Sequence, residues 1–421
     1  MTSGTDAGAG TGLSEGTGLS EGTGLTPDPA TGPGGAPRTG RGMRFSVDGW
    51  DPSYGASLEV EGQLEESTAT IETDVELPAG SWRPIDPDDR GPLPEALLFV
   101  DGVRRVEAQV WIEGDAAGAD PVTGEVQPGE PTAALCASYA AGVVCCCAAG
   151  AHLVVAELRR GLFSVAPHAR DILTRAGGYK SHHVLLKKTS TPVMTALSQS
   201  LQLRLAQVEV EASDAARGTI DAVSAVTAGR GTGPRGRGRP PAGHTTGGTS
   251  DLLIVDGPLR NRQHLPRALG YIKSHHATYL PPELNAVVGR LAPGQRTPAF
   301  RMGTSWDRHS WYLRLPGPAG APWSGVVRIE CAAALPVPDV IKLAGLSQRC
   351  LGRFASAPYK DSRAPQNLYP IAGLERELRR RLGDPQLLYR ALREAARQEA
   401  APAGPGPGAG SRTGVSLGAP A

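Results

Sequence analysis

The sequence predicts a mixed α/β domain, and three observations carry that prediction. Segments of alternating apolar and polar residues, as strands require, fill the first part of the patterned region, and a long helical pattern follows them. Then comes Leu252-Leu253-Ile254-Val255, a continuous apolar run of the kind found in a strand buried on both faces. Strands, then a helix, then a buried strand and more of both give an α/β order.

The early strands are expected at Leu97 to Val100, Glu107 to Glu113, Tyr139 to Cys147 and His152 to Leu158. Asp101-Gly102 reads as a hairpin-like turn joining the first two. A helix is expected from about Pro192 to Ala216, with Ser190 or Thr191 as its cap and Pro192 in its first turn. Its apolar stripe is Met194, Leu197, Leu201, Leu205, Val208 and Ala212, spaced three or four apart. Beyond the buried strand the pattern predicts a hairpin, Ser310 to Leu315 with Gly325 to Cys331, and a helix from about Pro338 to Leu351. Two more helices are expected around Leu374 to Leu382 and Pro385 to Arg397.

Composition bounds what surrounds these elements. The chain has 421 residues, of which 55 are Gly and 37 Pro; together they make roughly 22% against a usual level of about 12%, so much of the length is loop. Residues 1–42, which repeat Gly-Thr-Gly-Leu-Ser-Glu from Gly10 onward, have too little apolar surface to offset their ordering entropy and are expected to be disordered. Residues 227–249 read as a flexible Gly/Arg-rich insertion in a domain spanning 43–400, and 401–421 as a disordered tail.

Lys and Arg number 43 and Asp and Glu 42, a formal charge of +1 that argues against a polybasic coat or an acidic tail. No run of about 18 apolar residues is present, nor the charged start and apolar core of a signal peptide, so a cytoplasmic protein with no membrane partner is expected. The six cysteines, three of them consecutive at Cys145, Cys146 and Cys147, lack CxxC spacing and read as small core residues. GxxxxGKT does not occur, and GxSxG occurs only within the low-complexity repeat (Gly12 to Gly16 and Gly18 to Gly22) and the tail (Gly414 to Gly418) and not as a strand-to-helix elbow, which removes support for an autonomous ATPase or a serine hydrolase.

Two segments share one form, Leu97-Leu98-Phe99-Val100-Asp101-Gly102 and Leu253-Ile254-Val255-Asp256-Gly257. In each a buried strand ends in an aspartate followed by a glycine. Asp-Gly is good turn chemistry on its own. Strand ends at one edge of a sheet also bring carboxylates together, and such a group repels itself unless a divalent cation sits between its members. A third carboxylate is expected from the long helix: at 100° per residue Glu209 falls near the border of the apolar stripe and Glu211 well off it, so Glu209 is the better inward candidate, against the alternative of a solvated helix face.

The order of these features resembles the NurA nuclease family. Asp-Gly after the first strand, a long helix with an acidic residue, a strand ending Val-Asp-Gly-Pro-Leu and a lysine in Gly270-Tyr271-Ile272-Lys273 carry the likeness, over about Leu97 to Arg397. The resemblance implies an RNase H-like mixed β-sheet flanked by helices. It further implies a deoxyribonuclease of 5′–3′ exonuclease or endonuclease type that uses Mn²⁺ or Mg²⁺ on DNA ends or single strands in DNA repair and end resection. Its partners would be DNA and a HerA-type hexameric ATPase, and a homodimer fits the family. Metal-binding roles fall on Asp101, Asp256 and Glu209, and Lys273 corresponds to the basic residue near the scissile phosphate. Where the family commonly has a late histidine, this chain has Ala357 to Leu368 without one; Tyr359 stands there, with Asp361 as a substitute ligand. That departure supports a rival reading, a non-catalytic adaptor that binds DNA or the motor and has lost its second metal. The expected chemistry is hydrolysis by two cations about 3.5 to 4 Å apart, with Lys273 and Lys360 offsetting phosphate charge.

Other features are open at this level. Tyr179-Lys180-Ser181-His182-His183 is echoed by Ile272-Lys273-Ser274-His275-His276, but adjacent histidines diverge on either regular element, which favours hydrogen bonding or phosphate contact over zinc. Arg296, Arg301, Trp306, Arg308, Trp311, Tyr312 and Arg314 suit a surface for single strands and equally a hairpin packing its tryptophans inward. Arg230, Arg235, Arg237 and Arg239 form a basic arm that fits weak phosphate contact or a plain spacer. Glu157 is a fallback should neither helix glutamate point inward.

Overall fold

The computed structural model describes residues 69–114, 129–186, 191–228, 251–275, 277–317 and 323–400, without the side chains of 218–228 and 400. The segments expected to be disordered, 1–42 and 401–421, and the arginines of the 227–249 insertion lie outside the described residues.

Five strands form the centre: β2 (Ala96–Gly114), β3 (Gly129–Cys147), β4 (Gly150–Ser164), β7 (Asp251–Asp256) and β8 (Ala268–Ile272). They lie side by side as β4-β3-β2-β7-β8. The first three are antiparallel in sequence. After the crossover helix α1 (Val193–Ala228), β7 pairs parallel to β2 and β8 parallel to β7. Three antiparallel strands, a helix, and two strands parallel to the first make up an RNase H-like sheet, so the expected fold class is the observed one. β9 (Phe300–Gly303), β10 (Asp307–Arg314) and β11 (Val326–Ala332) extend the sheet beyond β8, with β1 (Thr70–Glu72) at that edge. β5 (Ile172–Thr174) and β6 (Gly177–His183) close the other. No helix among the described residues is long and apolar enough to cross a membrane.

Alternation along the strands sorts the core onto two faces. Leu98, Val100, Leu253 and Val255 point to one, where Leu197, Leu201, Leu205, Val208 and Ala212 of α1 cover them. The helical stripe predicted from sequence is therefore the buried one, and each of its leucines contributes about 1.5–3 kcal/mol of transfer free energy. Leu97, Phe99, Leu252 and Ile254 point to the other face, covered by α3 (Val337–Leu351) and the start of α4 (Tyr369–Arg381). Further along that face Leu374, Leu378 and Leu382 pack on Val103 and Ala140, and α5 (Pro385–Ala400) adds Leu392 over Cys136 and Leu162. α2 (Pro282–Gly289) packs Leu284, Val287 and Val288 on Phe300, Met302 and Tyr312.

One sequence expectation is corrected. Asp101-Gly102 is not a turn between two strands: β2 runs unbroken through it, with Asp101 opposite Gly142 and Gly102 opposite Ala141 of β3. The long pairing with β3 overrides the local turn preference. Gly102 serves another purpose, because a Cβ there would lie 2.5 Å from Glu209 Oε1 and 2.7 Å from Leu205 Cδ1. Its bare backbone lets α1 approach. Gly257, in the second Asp-Gly, does follow the end of β7 and has φ +105°, a conformation that glycine supplies without strain. The helix expected to end at Ala216 continues to Ala228, carried on by an alanine-rich stretch.

The aromatic and cationic cluster resolves towards packing. Trp311 is fully buried, and its Nε1 donates to Ser347 Oγ at 3.1 Å. Arg296 pairs with Glu76, Arg308 with Glu330 and Arg301 with Asp307. His182 packs on Phe163 and lies 3.5 Å from Tyr139 Oη, while His183 and His275 contact the carbonyls of Val165 and Val326. These are the hydrogen-bonding roles expected of the three; His276 lies outside the described residues. Cys136, Cys145, Cys331 and Cys350 are buried, and Cys146 and Cys147 are partly buried.

Candidate metal centre

Strand register builds the site. Val100 pairs with Val255 in the parallel β2–β7 ladder, so the next residues, Asp101 and Asp256, sit side by side and point to the same face. That is the face of Phe99 and Ile254, the one α4 covers. One strand further, Asp256 pairs with Tyr271 of β8, and Lys273 just beyond it brings Nζ to 2.6 Å from Asp256 Oδ2. Asp101 within β2, Asp256 at the end of β7 and Lys273 just beyond β8, remote in sequence, are thus neighbours across three adjacent strands.

The third carboxylate comes from α4. Glu375 has an oxygen that, with one from Asp101 and one from Asp256, forms a group whose atoms all lie within 4.8 Å of one another. Glu375 is only 7% exposed and accepts two hydrogen bonds from Arg363, at 3.0 and 2.9 Å. Sequence reasoning missed it. The signal was present, since Ile371, Leu374, Leu378 and Leu382 mark the inward stripe of α4 and Glu375 lies four residues after Ile371 on that side.

The aspartate between them is the exception in this group. Asp101 Oδ1 accepts the Gly102 amide at 2.7 Å, and Oδ2 is buried with no hydrogen-bond partner. Burial pushes the Asp101 carboxyl well above its ordinary range and Asp256 pushes it further, Lys273 opposes, and Glu375 adds to the rise. Burial also pulls the Lys273 ammonium down, but Asp256 and Asp101 outweigh it, so lysine stays charged with a raised pKa. An acid-rich pocket with an orphaned carboxylate oxygen and an all-oxygen donor set fits a hard divalent cation.

The remaining predicted carboxylates do not join this group. Glu209 is on α1, hence on the opposite face, where Oε2 is held by Arg262 at 3.1 Å. Burial raises its pKa against the opposing pull of Arg262. Glu211 is half exposed. Asp361 accepts from Asn367 Nδ2 at 2.6 Å, and Asn367 Oδ1 accepts from Lys273 at 3.0 Å, so Asp361 is one side chain removed from the lysine. Tyr359 is 82% exposed, with Lys360 stacked over its ring and over Tyr369. Glu157 is partly buried and paired with Arg159. A cleft of about 490 Å³ opens beside the acidic group, lined by Lys360, Asp361, Arg363, Glu375, Arg376 and Arg379 among others.

No family model matches this sequence, and no curated protein does. Among solved structures, the NurA nuclease from Sulfolobus solfataricus is similar at a TM-score of 0.36 and 8% identity, over 74% of this chain and 88% of that one. So loose an overlap carries no argument here. The RNase H-like description rests on strand order, and the site on its own geometry.

Proposed function

We propose that this chain is a divalent-metal-dependent nuclease that hydrolyses phosphodiester bonds of DNA, at ends or on single strands. The observation that carries the reading is the meeting of Asp101, Asp256 and Glu375 around a buried, unpartnered carboxylate oxygen. Asp101, Asp256 and Glu375 would hold Mn²⁺ or Mg²⁺. The ion would supply Lewis-acid activation of water and neutralise charge on the leaving oxygen.

The chain's own groups supply the rest. Lys273, kept charged and fixed between Asp256 and Asn367, donates to a non-bridging phosphate oxygen as a compact cation. Lys360, Arg376 and Arg379 line the cleft leading to Glu375, where phosphates of the flanking strand would bind. The proposal includes a HerA-type hexameric ATPase as partner, supported by the sequence resemblance and by the lack of a phosphate-binding loop in this chain. A nuclease without its own motor needs one to open duplex.

The test compares single-stranded DNA, duplex DNA and RNA under identical Mn²⁺. Cleavage of single-stranded DNA, lost on chelation and restored by Mn²⁺, supports the reading; activity confined to RNA overturns its substrate. A second reading, the adaptor, draws on the fact that Lys273 and Arg363 already partner two of the three carboxylates. Calorimetry separates the two: no Mn²⁺ bound and no cleavage would leave the adaptor standing.

A further inference from the structure

We infer that the end of the β3–β4 hairpin holds a separate cation site, for a soft divalent ion of the zinc class, built from the thiolates of Cys145 and Cys147 and the imidazole of His152. Among the described residues two groups have three or more metal-ligating side chains converging, and this is the one outside the carboxylate centre. One ligand atom from each of the three lies within 4.8 Å of the other two.

The hairpin itself creates the convergence. Residues two apart on a strand share a face, so Cys145 and Cys147 project together and Cys146 projects to the other side. The core contacts agree: Cys145 and Cys147 pack with the α1 face and Cys146 with the α3 face. In the antiparallel ladder Cys145 pairs with His152, and Cys147 with Gly150, whose φ of +101° lets the chain reverse within a few residues. Cys147 Sγ points into the reversal, 3.7 Å from the Gly150 carbonyl. Asp101 points to the other face of the sheet, so the two centres share no ligand.

Two sulfurs and an imidazole nitrogen are the donor set that selects zinc over magnesium or manganese. Zn–S near 2.3 Å and Zn–N near 2.0 Å at tetrahedral angles place ligand atoms roughly 3.5–3.8 Å apart. The hairpin needs to close by only about an ångström. Binding exchanges the two thiol protons for the ion and releases both to solvent, with no change of oxidation state. Cys147 and His152 are partly exposed, so an ion has a way in and water can take the fourth position.

Co²⁺ serves as the probe on the full chain, reduced and stripped by chelation. One equivalent is expected to give a thiolate-to-cobalt charge-transfer band with the intense visible bands of a tetrahedral site, bleached by Zn²⁺. Cys147→Ser and His152→Ala, both at partly exposed positions, are each expected to weaken Co²⁺ binding by more than about tenfold. Cys146→Ser and Asp101→Asn are expected to leave the band intact. Absence of the band overturns the site, as does its survival in both Cys147→Ser and His152→Ala, or its loss in Cys146→Ser or Asp101→Asn. A Cys145→Ser variant adds weight only if circular dichroism shows it folded, because that thiol is buried.

Discussion

Asp101, buried, and Glu209, partly buried, are two carboxylates on opposite faces of one strand, separated by the backbone of Gly102. Glu209 has an arginine of its own, and Arg262 is more buried than the carboxylate it holds. Asp101 has Asp256 and Glu375 for neighbours and no cation in hydrogen-bond contact, and one of its oxygens is unpartnered. The same residue chemistry is closed on one face and open on the other. What makes a carboxylate available to a ligand is the charge of the element packed over it, not the motif it sits in.

The largest expected effect tests which face does the chemistry. Asp101→Asn, Asp256→Asn and Glu375→Gln are each expected to lower Mn²⁺-dependent cleavage by about 10³-fold or more, comparable with losing a principal electrostatic contribution, while Glu209→Gln lowers it less than about tenfold. Initial rates on single-stranded DNA read this. Full activity in Glu375→Gln with loss in Glu209→Gln would transfer the third ligand to α1.

Next in size, Arg262→Ala leaves Glu209 buried and uncompensated, and is expected to destabilise the fold by about 3–5 kcal/mol. Chemical denaturation measures it, and a change under 1 kcal/mol would mean that the pair is not closed. Gly102→Ala pushes a methyl group towards Leu205 and the Glu209 carboxylate; overpacking of this kind costs about 1–3 kcal/mol. A neutral result there would show that α1 has slack.

The smallest effect is a pH dependence. Asp101 has a raised pKa in the folded chain, with burial first and Asp256 second as causes, against about 3.9 when unfolded. Between those values the folded state binds more protons than the unfolded one. The contribution of this group is thus fully present below the unfolded value and lost as pH rises through the folded one. Thermal midpoints of metal-free protein, taken as wild type minus Asp101→Asn, should fall over that range, and Mn²⁺ should offset the fall. A difference that does not vary with pH would remove the raised pKa assigned to Asp101.

The amino-acid sequence by itself determined the elements whose cause is local. The stripe from Leu197 to Ala212, the buried run at Leu252–Val255 and the hairpin around Ser310 and Cys331 are written as spacings of apolar residues, because each face is selected by burial within a single element. The proximity of Asp101 and Asp256 was legible in the repeated apolar-run-Asp-Gly form, although only Asp256 ends its strand. Only the tertiary structure decided that β2 continues through Asp101-Gly102, that Arg262 reaches Glu209, and that the third acid beside the aspartates is Glu375. Those outcomes depend on which helix covers which face and on register between strands 150 residues or so apart in the chain. Long-range packing sets them, and no local period records it.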